Sequence, residues 1–261
     1  MKVIITGGAG FLGKRLAESI LNLGELTTIM GNKEGIDEII LVDVVKPYID
    51  IKKTDKRITF LVTDISSKES VDKLIDGNSS LSIFHLASIV SSGAEKDFDL
   101  AMKINVGGVL NLLNSTRSLN KPAKFIFTSS FAAFGGNAMP EKVNDNTKLN
   151  PQNTYGMTKV INELLVNDYT RKGYLDGRGA RLPTIIVRPG KPNKAASSFA
   201  SSIFREPLSN KSCTLPVARS TKIAIGGYRD AIKGLIKLHD AKSSDIGDDR
   251  TINFPNIATT V

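Results

Sequence analysis

The sequence predicts an α/β protein built on a doubly wound, parallel sheet, and three observations support this fold class. Short apolar runs rich in β-branched residues alternate with longer segments whose apolar residues recur at helical spacing. The first run leads directly into a glycine cluster, Thr6-Gly7-Gly8-Ala9-Gly10-Phe11-Leu12-Gly13. With 261 residues and 41% apolar content, the chain can bury the core of one such domain and a small appendage.

Six apolar segments have the length and composition of buried strands. They are Val3 to Thr6, Ile39 to Val42, Thr59 to Val62, Ile83 to Ala87, Phe125 to Ser129 and Thr184 to Val187. Helical spacing of apolar residues marks the segments Phe11 to Leu23, Lys68 to Ile75, Phe98 to Leu119 and Tyr155 to Tyr169. Strands that alternate with helices pair in parallel through right-handed crossovers, so we expect one sheet with helices on both faces.

The glycine cluster lies between a predicted strand and a predicted amphipathic helix, where an α/β fold holds a dinucleotide. Gly7 would permit the tight turn, Gly10 would let backbone N–H groups approach a pyrophosphate, and Gly13 would allow the helix to pack closely on the sheet. The alternative is a glycine-rich turn without a ligand. The strand before the cluster and the helix after it favour the cofactor.

Asp43 ends the second predicted strand and is positioned to accept hydrogen bonds from an adenosine ribose, which favours NAD over NADP. It comes later than the usual spacing because the polar segment Gly24 to Gly35 precedes that strand. Lys46 leaves NADP open, since its ammonium could meet a 2′-phosphate. Asp64 and Ile65, after the third strand, suit the adenine edge, although Asp64 could equally cap the helix that follows.

Tyr155 and Lys159 are four residues apart on a predicted helix and therefore share one face. A tyrosine titrates near pH ~10, so a phenolate that acts at neutral pH needs stabilisation of roughly 3 to 4 kcal/mol. Two opposite unit charges ~5 Å apart at an effective dielectric of ~20 interact by about 3 kcal/mol. One ammonium can therefore turn this phenol into a general base.

Charge and composition disfavour several other classes of function. The formal charge is +9 at pH 7, but the 35 Lys and Arg residues are dispersed, which favours a solvated basic surface over nucleic-acid binding. No apolar run approaches membrane-spanning length, and the first residues lack a signal-peptide h-region. A single cysteine and two histidines argue against a disulfide or a metal site and fit a reducing, cytoplasmic compartment.

These motifs resemble those of the extended short-chain dehydrogenase/reductases, the NAD-dependent epimerase/dehydratase family, over essentially the whole chain. The matching residues are Gly7-x-x-Gly10-x-x-Gly13, Asp43, Asp64-Ile65, His85-Leu86-Ala87, Asn105-Val106, Thr128-Ser129-Ser130 and Tyr155-x-x-x-Lys159. The resemblance implies a Rossmann-type fold, NAD as the cofactor and a homodimer that pairs the long helices containing Asn105 and Tyr155.

The resemblance also assigns roles. Tyr155 would be the general base, Lys159 would bind the nicotinamide ribose and lower the tyrosine pKa, and Ser130 would hydrogen-bond the reacting oxygen. Ser129 is the alternative to Ser130, although the spacing from Ser130 to Gly135 matches the family. The cofactor would contact Gly7, Gly10, Phe11, Leu12, Gly13, Asp43, Asp64, Ile65, Leu86, Ala87, Asn105, Tyr155, Lys159 and Pro189.

Two of the matching polar residues have structural alternatives. Asn105 lies within a long predicted helix, where Asn is a poor former, so it is either a functional hydrogen-bonding group or a satisfied buried amide. His85 follows Phe84 in a predicted strand and is expected to be structural.

The residues after the sixth predicted strand decide the substrate, because dehydrogenases, epimerases and dehydratases share this fold and base. The segment Arg188 to Phe199, continued by Arg205 to Leu208, differs from the Asn-x-Tyr-Gly-Pro sequence of nucleotide-sugar epimerases. It resembles the branch that oxidises a four-carbon sugar acid at C2 with NAD. The substrate implied is a small anionic sugar acid, bound by Ser130, Asn193, Ser197, Ser198 and Arg205. Lys191, Lys194 and Arg229 are weaker candidates.

Two units are predicted along the chain. Residues 1–175 would form the NAD-binding domain, with a strand over 184–188 returning to its sheet, and Gly177 to Pro183 would form a loop. Residues 189–261 would form a small C-terminal substrate-binding cap, expected to be either truncated or reduced because relatives run longer.

Three functions remain open on the sequence. The first is an NAD-dependent sugar-acid dehydrogenase, and the second is a nucleotide-sugar epimerase or dehydratase with tightly bound NAD. The third, a non-catalytic NAD-binding regulator, is disfavoured by the intact Ser130, Tyr155 and Lys159. In every case we expect a small-molecule partner and neither a nucleic acid, a membrane nor a metal.

Overall fold

The computed structural model describes residues 1–46, 55–75, 80–189 and 195–261. The strands are β1 (Lys2–Thr6), β2 (Glu25–Thr27), β3 (Lys33–Gly35), β4 (Glu38–Asp43), β5 (Ile58–Val62), β6 (Leu81–His85), β7 (Lys124–Ser130), β8 (Asp176–Leu182), β9 (Thr184–Ile186), β10 (Lys222–Gly227), β11 (Thr251–Asn253) and β12 (Ile257–Thr260). The helices are α1 (Phe11–Leu23), α2 (Lys68–Leu74), α3 (Ser91–Lys96), α4 (Phe98–Ala101), α5 (Gly108–Arg117), α6 (Thr154–Arg171), α7 (Phe199–Arg205) and α8 (Tyr228–Asp240). A π-helical segment, Met102–Gly107, joins α4 to α5.

Seven strands form one parallel sheet in the order β11-β8-β7-β6-β1-β4-β5. Five of them, β1, β4, β5, β6 and β7, confirm predicted strands to within a residue or two. From β1 the chain builds outward first through β4 and β5 and then, on the other side, through β6, β7 and β8. The order therefore changes direction between β1 and β6, and open α/β sheets bind ligands at the carboxyl ends of strands at such a point.

Two apolar cores lie on opposite faces of the sheet. Successive side chains of a strand point to opposite faces, so Val3 and Ile5 join one core, together with Leu16 of α1 and Leu235 of α8, whereas Ile4 joins the other. The second core is covered by α2, α5 and α6. Helices on both faces of a parallel sheet confirm the predicted doubly wound, Rossmann-type α/β fold.

The predicted loop over Gly177 to Pro183 is wrong, because six of these residues belong to β8, a fully buried strand between β7 and β11. Its arginines gave the segment the composition of a loop, but both are buried against carboxylates. Arg178 makes a bidentate pair with Asp176, at 3.1 and 2.8 Å. Arg181 makes another with Glu163 of α6. Paired charges can occupy an interior strand that unpaired charges could not.

The prediction that a strand over 184–188 returns to the central sheet is also wrong. β9 pairs in parallel with β10, which pairs antiparallel with β12, so these three strands form a separate sheet. Pro183 lies between β8 and β9 and has no N–H to donate to a strand ladder. The chain therefore leaves the central sheet at this proline, and β8 fills the predicted position.

The C-terminal part of the chain contributes directly to the central sheet. β11 extends it beside β8. α8 packs on the sheet, and two cations bind its last turn. The carbonyl of His239 accepts from Lys124 Nζ at 2.7 Å and from Arg178 Nη1 at 2.8 Å. Cations are favourable at this end of a helix because the last carbonyls carry partial negative charge.

The insertion before β4 is a hairpin formed by β2 and β3 rather than an irregular loop. Asp240, at the end of α8, holds it by accepting from the N–H of Thr27 at 2.9 Å and from Lys33 Nζ at 2.6 Å. The hairpin lengthens the chain between α1 and β4, which explains why Asp43 comes late without being displaced from the strand end. In the described part of the chain, no helix is long and apolar enough to cross a membrane.

Asp176→Asn should lower the free energy of unfolding by roughly 3 to 5 kcal/mol, because the guanidinium groups of Arg178 and Arg250 would remain buried without their carboxylate. The matched control is Asp168→Asn, which breaks a half-exposed pair with Arg171 and should cost less than about 1 kcal/mol. Urea unfolding followed by circular dichroism measures both. Equal losses in the two variants would contradict a special role for the buried charges of β8.

Candidate active site

A cavity of about 1070 Å³ opens at the carboxyl ends of β1, β6 and β7. Pockets for one small ligand usually measure about 300 to 1,000 Å³, so this cavity has room for part of a dinucleotide and a small substrate together. The predicted site residues that border it are Gly7, Gly10, Phe11, Leu12, Gly13, Leu86, Ser130, Tyr155, Lys159 and Ser197.

The remaining predicted site residues lie outside this lining. Among the described residues these are Asp43, Asp64, Ile65, Ala87, Asn105, Pro189, Ser198 and Arg205. The substrate candidates Lys191, Asn193 and Lys194 fall outside the described residues. Arg229, the weakest candidate, is exposed and donates to the phenol of Tyr228 at 3.2 Å.

The glycine turn between β1 and α1 has the geometry that a pyrophosphate requires. Gly7 has φ +72°, and a Cβ there would lie 2.9 Å from the main-chain nitrogen of Ala87. A Cβ on Gly13 would lie 2.4 Å from the carbonyl oxygen of Gly7, which confirms the predicted close packing. Gly10 precedes α1 without a side-chain cap, and the first turn carries no acidic residue. The N–H groups at this helix end therefore suit an anion, and the turn fits a dinucleotide.

Asp43 ends β4 beside the glycine turn. One carboxylate oxygen accepts from the N–H of Ala9 at 3.0 Å, and the other accepts from the N–H of Val44 at 2.8 Å. Two carboxylate oxygens offer about four acceptor sites, so capacity for a ribose hydroxyl remains. Asp43 thus fixes the glycine turn and places a negative charge next to it.

Asp64 has a local role in the turn after β5. Its carboxylate accepts from the N–H of Ser66 at 2.9 Å, and its side chain is exposed. The cap of α2 is Ser67, whose hydroxyl accepts from the N–H of Ser70 at 3.3 Å. The alternative in which Asp64 itself caps the helix is therefore wrong, because Ser67 occupies that position.

Tyr155 and Lys159 share one face of α6, as predicted. The helix starts at Thr154 with Asn153 as its cap, so the tyrosine lies in the first turn at the mouth of the cavity. Lys159 Nζ is 5.3 Å from the centroid of the Tyr155 ring and donates to the carbonyl of Thr128 at 2.8 Å. The lysine is 2% exposed, so its ammonium is fixed between α6 and the end of β7.

Burial dominates the electrostatics of this pair. It raises the pKa of the Tyr155 phenol above its ordinary value, against the stabilising effects of the Ser130 hydroxyl and the Arg188 guanidinium. Burial also lowers the pKa of Lys159 to about 7, and the Glu163 carboxylate opposes that shift. The sequence predicted that Lys159 would lower the tyrosine pKa, but in the folded protein the net direction is upward, and Ser130 and Arg188 are the groups that favour the phenolate.

The two candidate serines at the end of β7 differ in their partners. Ser129 is buried and donates its hydroxyl to Glu163. Ser130 is less buried, borders the cavity and accepts from the N–H of Ala132 at 3.1 Å, which leaves its own hydroxyl proton to donate. This geometry favours Ser130 for contact with a substrate.

Asn105 lies in the π-helical segment and is a fully bonded buried amide. Its side chain accepts from the N–H of Ile89 at 2.8 Å and donates to the carbonyl of Ile89 and to Thr158 Oγ1, at 3.0 and 3.2 Å. These contacts match the structural alternative, and contact with a cofactor stays a prediction. Asn105 connects the segment after β6 to α6, so it positions the helix that carries Tyr155.

His85 is structural, as expected. Its ring lies at centroid distances of 6.2 and 6.0 Å from Phe125 and Phe127, and its Nδ1 lies 2.7 Å from Thr6 Oγ1. Burial lowers its pKa to about 3, so the ring is neutral and does not act as an acid at physiological pH.

Arg205 was predicted to bind the substrate and Arg188 was given no role, but Arg188 and not Arg205 borders the cavity. Arg205 pairs with Glu206 at 2.6 and 2.9 Å and donates to the main-chain carbonyl of Arg188 at 2.8 Å. Arg188 borders the cavity. The available signal was its place directly after a predicted strand, where parallel sheets bind ligands.

Residues 3–253 match the family model for the NAD dependent epimerase/dehydratase family, and the chain belongs to this family. Members are enzymes that use a nicotinamide cofactor. In the described residues, no group of three or more His, Cys, Asp or Glu side chains could hold a metal ion.

Individual relatives show which members of the family this chain resembles. The chain is 44% identical over 261 residues to D-erythronate dehydrogenase of Cupriavidus necator, covering 100% of this chain and 78% of the relative. It is 43% identical to D-erythronate dehydrogenase of Haemophilus influenzae, covering 100% and 79%. Among solved structures, the nucleoside-diphosphate-sugar epimerase from Agrobacterium tumefaciens superposes with a TM-score of 0.88 at 35% identity, covering 100% of this chain and 75% of that one.

Lys159→Met should stabilise the cofactor-free protein. The unfolded chain releases this proton near pH 10.5 and the folded protein near pH 7, so the buried ammonium destabilises the fold below pH 7. Its cost shrinks as the pH rises towards 10.5. We expect the variant to gain about 1 to 3 kcal/mol at pH ~6 and less at pH ~9. Urea unfolding at both pH values measures this, with exposed Lys233→Met as the control. A loss of stability at pH ~6 would contradict the argument.

Proposed function

We propose that the protein is an NAD-dependent dehydrogenase that oxidises a hydroxyl of a small sugar acid, of the D-erythronate to 2-oxo-tetronate type. The observation that carries this proposal is the meeting of Ser130, Tyr155 and Lys159 in one cavity with the glycine turn. Fold and base alone do not choose a substrate. The sugar acid is supported by the similarity of all 261 residues to two D-erythronate dehydrogenases.

The chain's own residues divide the work of such an oxidation. When bound, the nicotinamide would accept the hydride. Ser130 would donate a hydrogen bond to the reacting oxygen, and the phenolate form of Tyr155, which Ser130 and Arg188 favour, would take the proton of the substrate hydroxyl. Lys159 would bind the nicotinamide ribose and keep a positive charge behind the phenol.

NAD rather than NADP is the cofactor that we propose. Asp43 places a carboxylate beside the glycine turn, where it would accept from ribose hydroxyls and repel a 2′-phosphate. Lys46 is exposed three residues further along the chain and is the group that would favour NADP.

A homodimer in the cytosol is the assembly and compartment that we propose. Phe98, Leu100 and Leu164 are exposed apolar side chains on the long helices that contain Asn105 and Tyr155, which supports their burial by a second copy. The single cysteine, Cys213, supports a reducing compartment.

A nucleotide-sugar epimerase is the second candidate, favoured by the structural similarity to the nucleoside-diphosphate-sugar epimerase. Product formation separates the two functions. A dehydrogenase accumulates NADH from NAD and D-erythronate, whereas an epimerase converts a UDP-sugar without net NADH. We expect NADH to accumulate, measured by its absorbance. UDP-sugar conversion with no NADH from any four-carbon sugar acid would reject the dehydrogenase.

Tyr155→Phe should lower kcat by about 100-fold or more, since general-base catalysis is worth about 10²- to 10⁴-fold. The affinity for NADH should change little, because the glycine turn and not the phenol would hold the pyrophosphate. Steady-state kinetics and fluorescence titration measure the two effects. Substantial activity of the variant at saturating substrate would mean that another group is the base.

Asp43→Asn should shift the ratio of NADPH to NADH affinity by about 10-fold towards NADPH, because it removes the charge that repels a 2′-phosphate. Asp64→Asn serves as the control, since the adenine edge is common to both cofactors and the ratio should stay constant. Fluorescence titration of each variant with both reduced cofactors measures the ratio. An unchanged ratio in Asp43→Asn would remove the support for NAD.

A further inference from the structure

The cations that border the cavity differ in what they are free to bind. Lys222 pairs with Glu141 at 2.9 Å, and both side chains are exposed. Lys142 is exposed, and Lys159 donates to a main-chain carbonyl behind the tyrosine ring. Arg188 is partly buried, and no carboxylate of the described residues lies within ion-pair distance of its guanidinium.

The backbone and stem of Arg188 are fixed from three directions. Its main-chain N–H donates to the buried Ser201 hydroxyl at 3.1 Å, and its carbonyl accepts from Arg205 at 2.8 Å. Its Nε donates to the carbonyl of Ile185 at 3.3 Å. These contacts engage the stem of the side chain but leave both terminal NH₂ groups without a hydrogen-bond partner among the described residues.

The support of Arg188 extends to a second layer. Arg205 is itself held by Glu206 and by Ser202 Oγ, at 3.0 Å. The Arg188 side chain therefore has a fixed backbone, a fixed stem and two free terminal NH₂ groups. Such a guanidinium is preorganised for a ligand with two acceptor oxygens. A half-buried guanidinium without a counter-ion also carries a desolvation cost that an anionic ligand would offset.

Resting on the proposed dehydrogenase function, we propose that Arg188 binds the carboxylate of the substrate through its two terminal NH₂ groups and so orients the sugar acid in the cavity. A planar guanidinium matches a carboxylate in a bidentate pair, which a lysine cannot do. Arg188 is therefore a specificity residue that selects acids over uncharged polyols.

Arg188 also lies within electrostatic range of the candidate base. Its charge lowers the pKa of the Tyr155 phenol, so the guanidinium and the base act on the same small volume. Arg188, Tyr155 and Ser130 all border the same cavity, so a carboxylate held by Arg188 would lie in the cavity that contains the base.

The experiment compares D-erythronate with its uncharged amide in the full-length enzyme at saturating NAD. The variants are Arg188→Gln, Arg188→Lys and, as the matched control, Arg219→Gln, which removes an exposed arginine outside the cavity lining. Wild type and the control should prefer the acid. Arg188→Gln should lower the ratio of kcat/KM for the acid to kcat/KM for the amide by about 100-fold, equivalent to about 2.8 kcal/mol, because the loss of the Arg188 charge near the Tyr155 phenol affects both substrates alike. Its NADH affinity, measured by fluorescence, should stay within about 2-fold of wild type.

The preference of Arg188→Gln for the acid over the amide tests whether Arg188 binds the substrate carboxylate. A collapse of the preference for acid over amide in Arg188→Gln supports the carboxylate site, and a preference that stays at the wild-type value overturns it. If Arg188→Gln does not fold, Arg188→Lys keeps the charge but loses the fork, and a KM for the acid raised by about 10-fold supports the site while an unchanged KM overturns it. NADH formation by wild type with an unchanged preference in the variant rejects the role of Arg188 alone. No NADH formation by wild type from any four-carbon sugar acid rejects the dehydrogenase and the carboxylate site together.

Discussion

The buried ion pair between Arg181 and Glu163 is the interaction on which the site depends. Glu163 lies one turn beyond Lys159 on α6, and Lys159 lies one turn beyond Tyr155, so the three side chains share one face of the helix. Pairing of Glu163 with Arg181 and its hydrogen bond from Ser129 join that face to β8 and β7. The rotation of α6 about its axis is therefore fixed at two adjacent strands, and this fixes the direction in which the tyrosine and lysine point.

The same pair connects stability to the chemistry of the site. A buried charge pair contributes little net stability, although loss of one partner is costly. Here the carboxylate has a second effect, because it opposes the lowering of the Lys159 pKa by burial. Without it, the lysine would lose its proton at a lower pH. The pair therefore adds little net stability, but its carboxylate helps the buried Lys159 side chain to stay protonated.

The sequence predicts the parts of the site whose chemistry depends on local spacing. The glycine turn and the pair Tyr155 and Lys159 follow from positions a few residues apart, and the five confirmed strands of the seven-stranded sheet follow from apolar runs. Prediction from the sequence failed for the strand β8 and for the place of Arg188 at the cavity. Both depend on the partners that side chains meet only in the folded protein. Arg178 and Arg181 are typical of a loop until Asp176 and Glu163 neutralise them. Likewise, the sequence alone does not show that the Glu206 carboxylate pairs with Arg205 rather than with Arg188.

The capping of α8 by Lys124 and Arg178 bears on how enzymes of this kind diversify. Because both cations come from the central sheet and both donate to His239, α8 is anchored to the nucleotide-binding core although it lies far along the chain. Residues 195–221 lie between β9 and β10, two strands that pair with each other, and α8 follows β10 directly. A segment held at both ends in this way can change its length and side chains while the fold around it stays intact. Changes there can alter the part of the cavity lining formed by Ala195, Ala196 and Ser197 while Tyr155 and Lys159 stay in place.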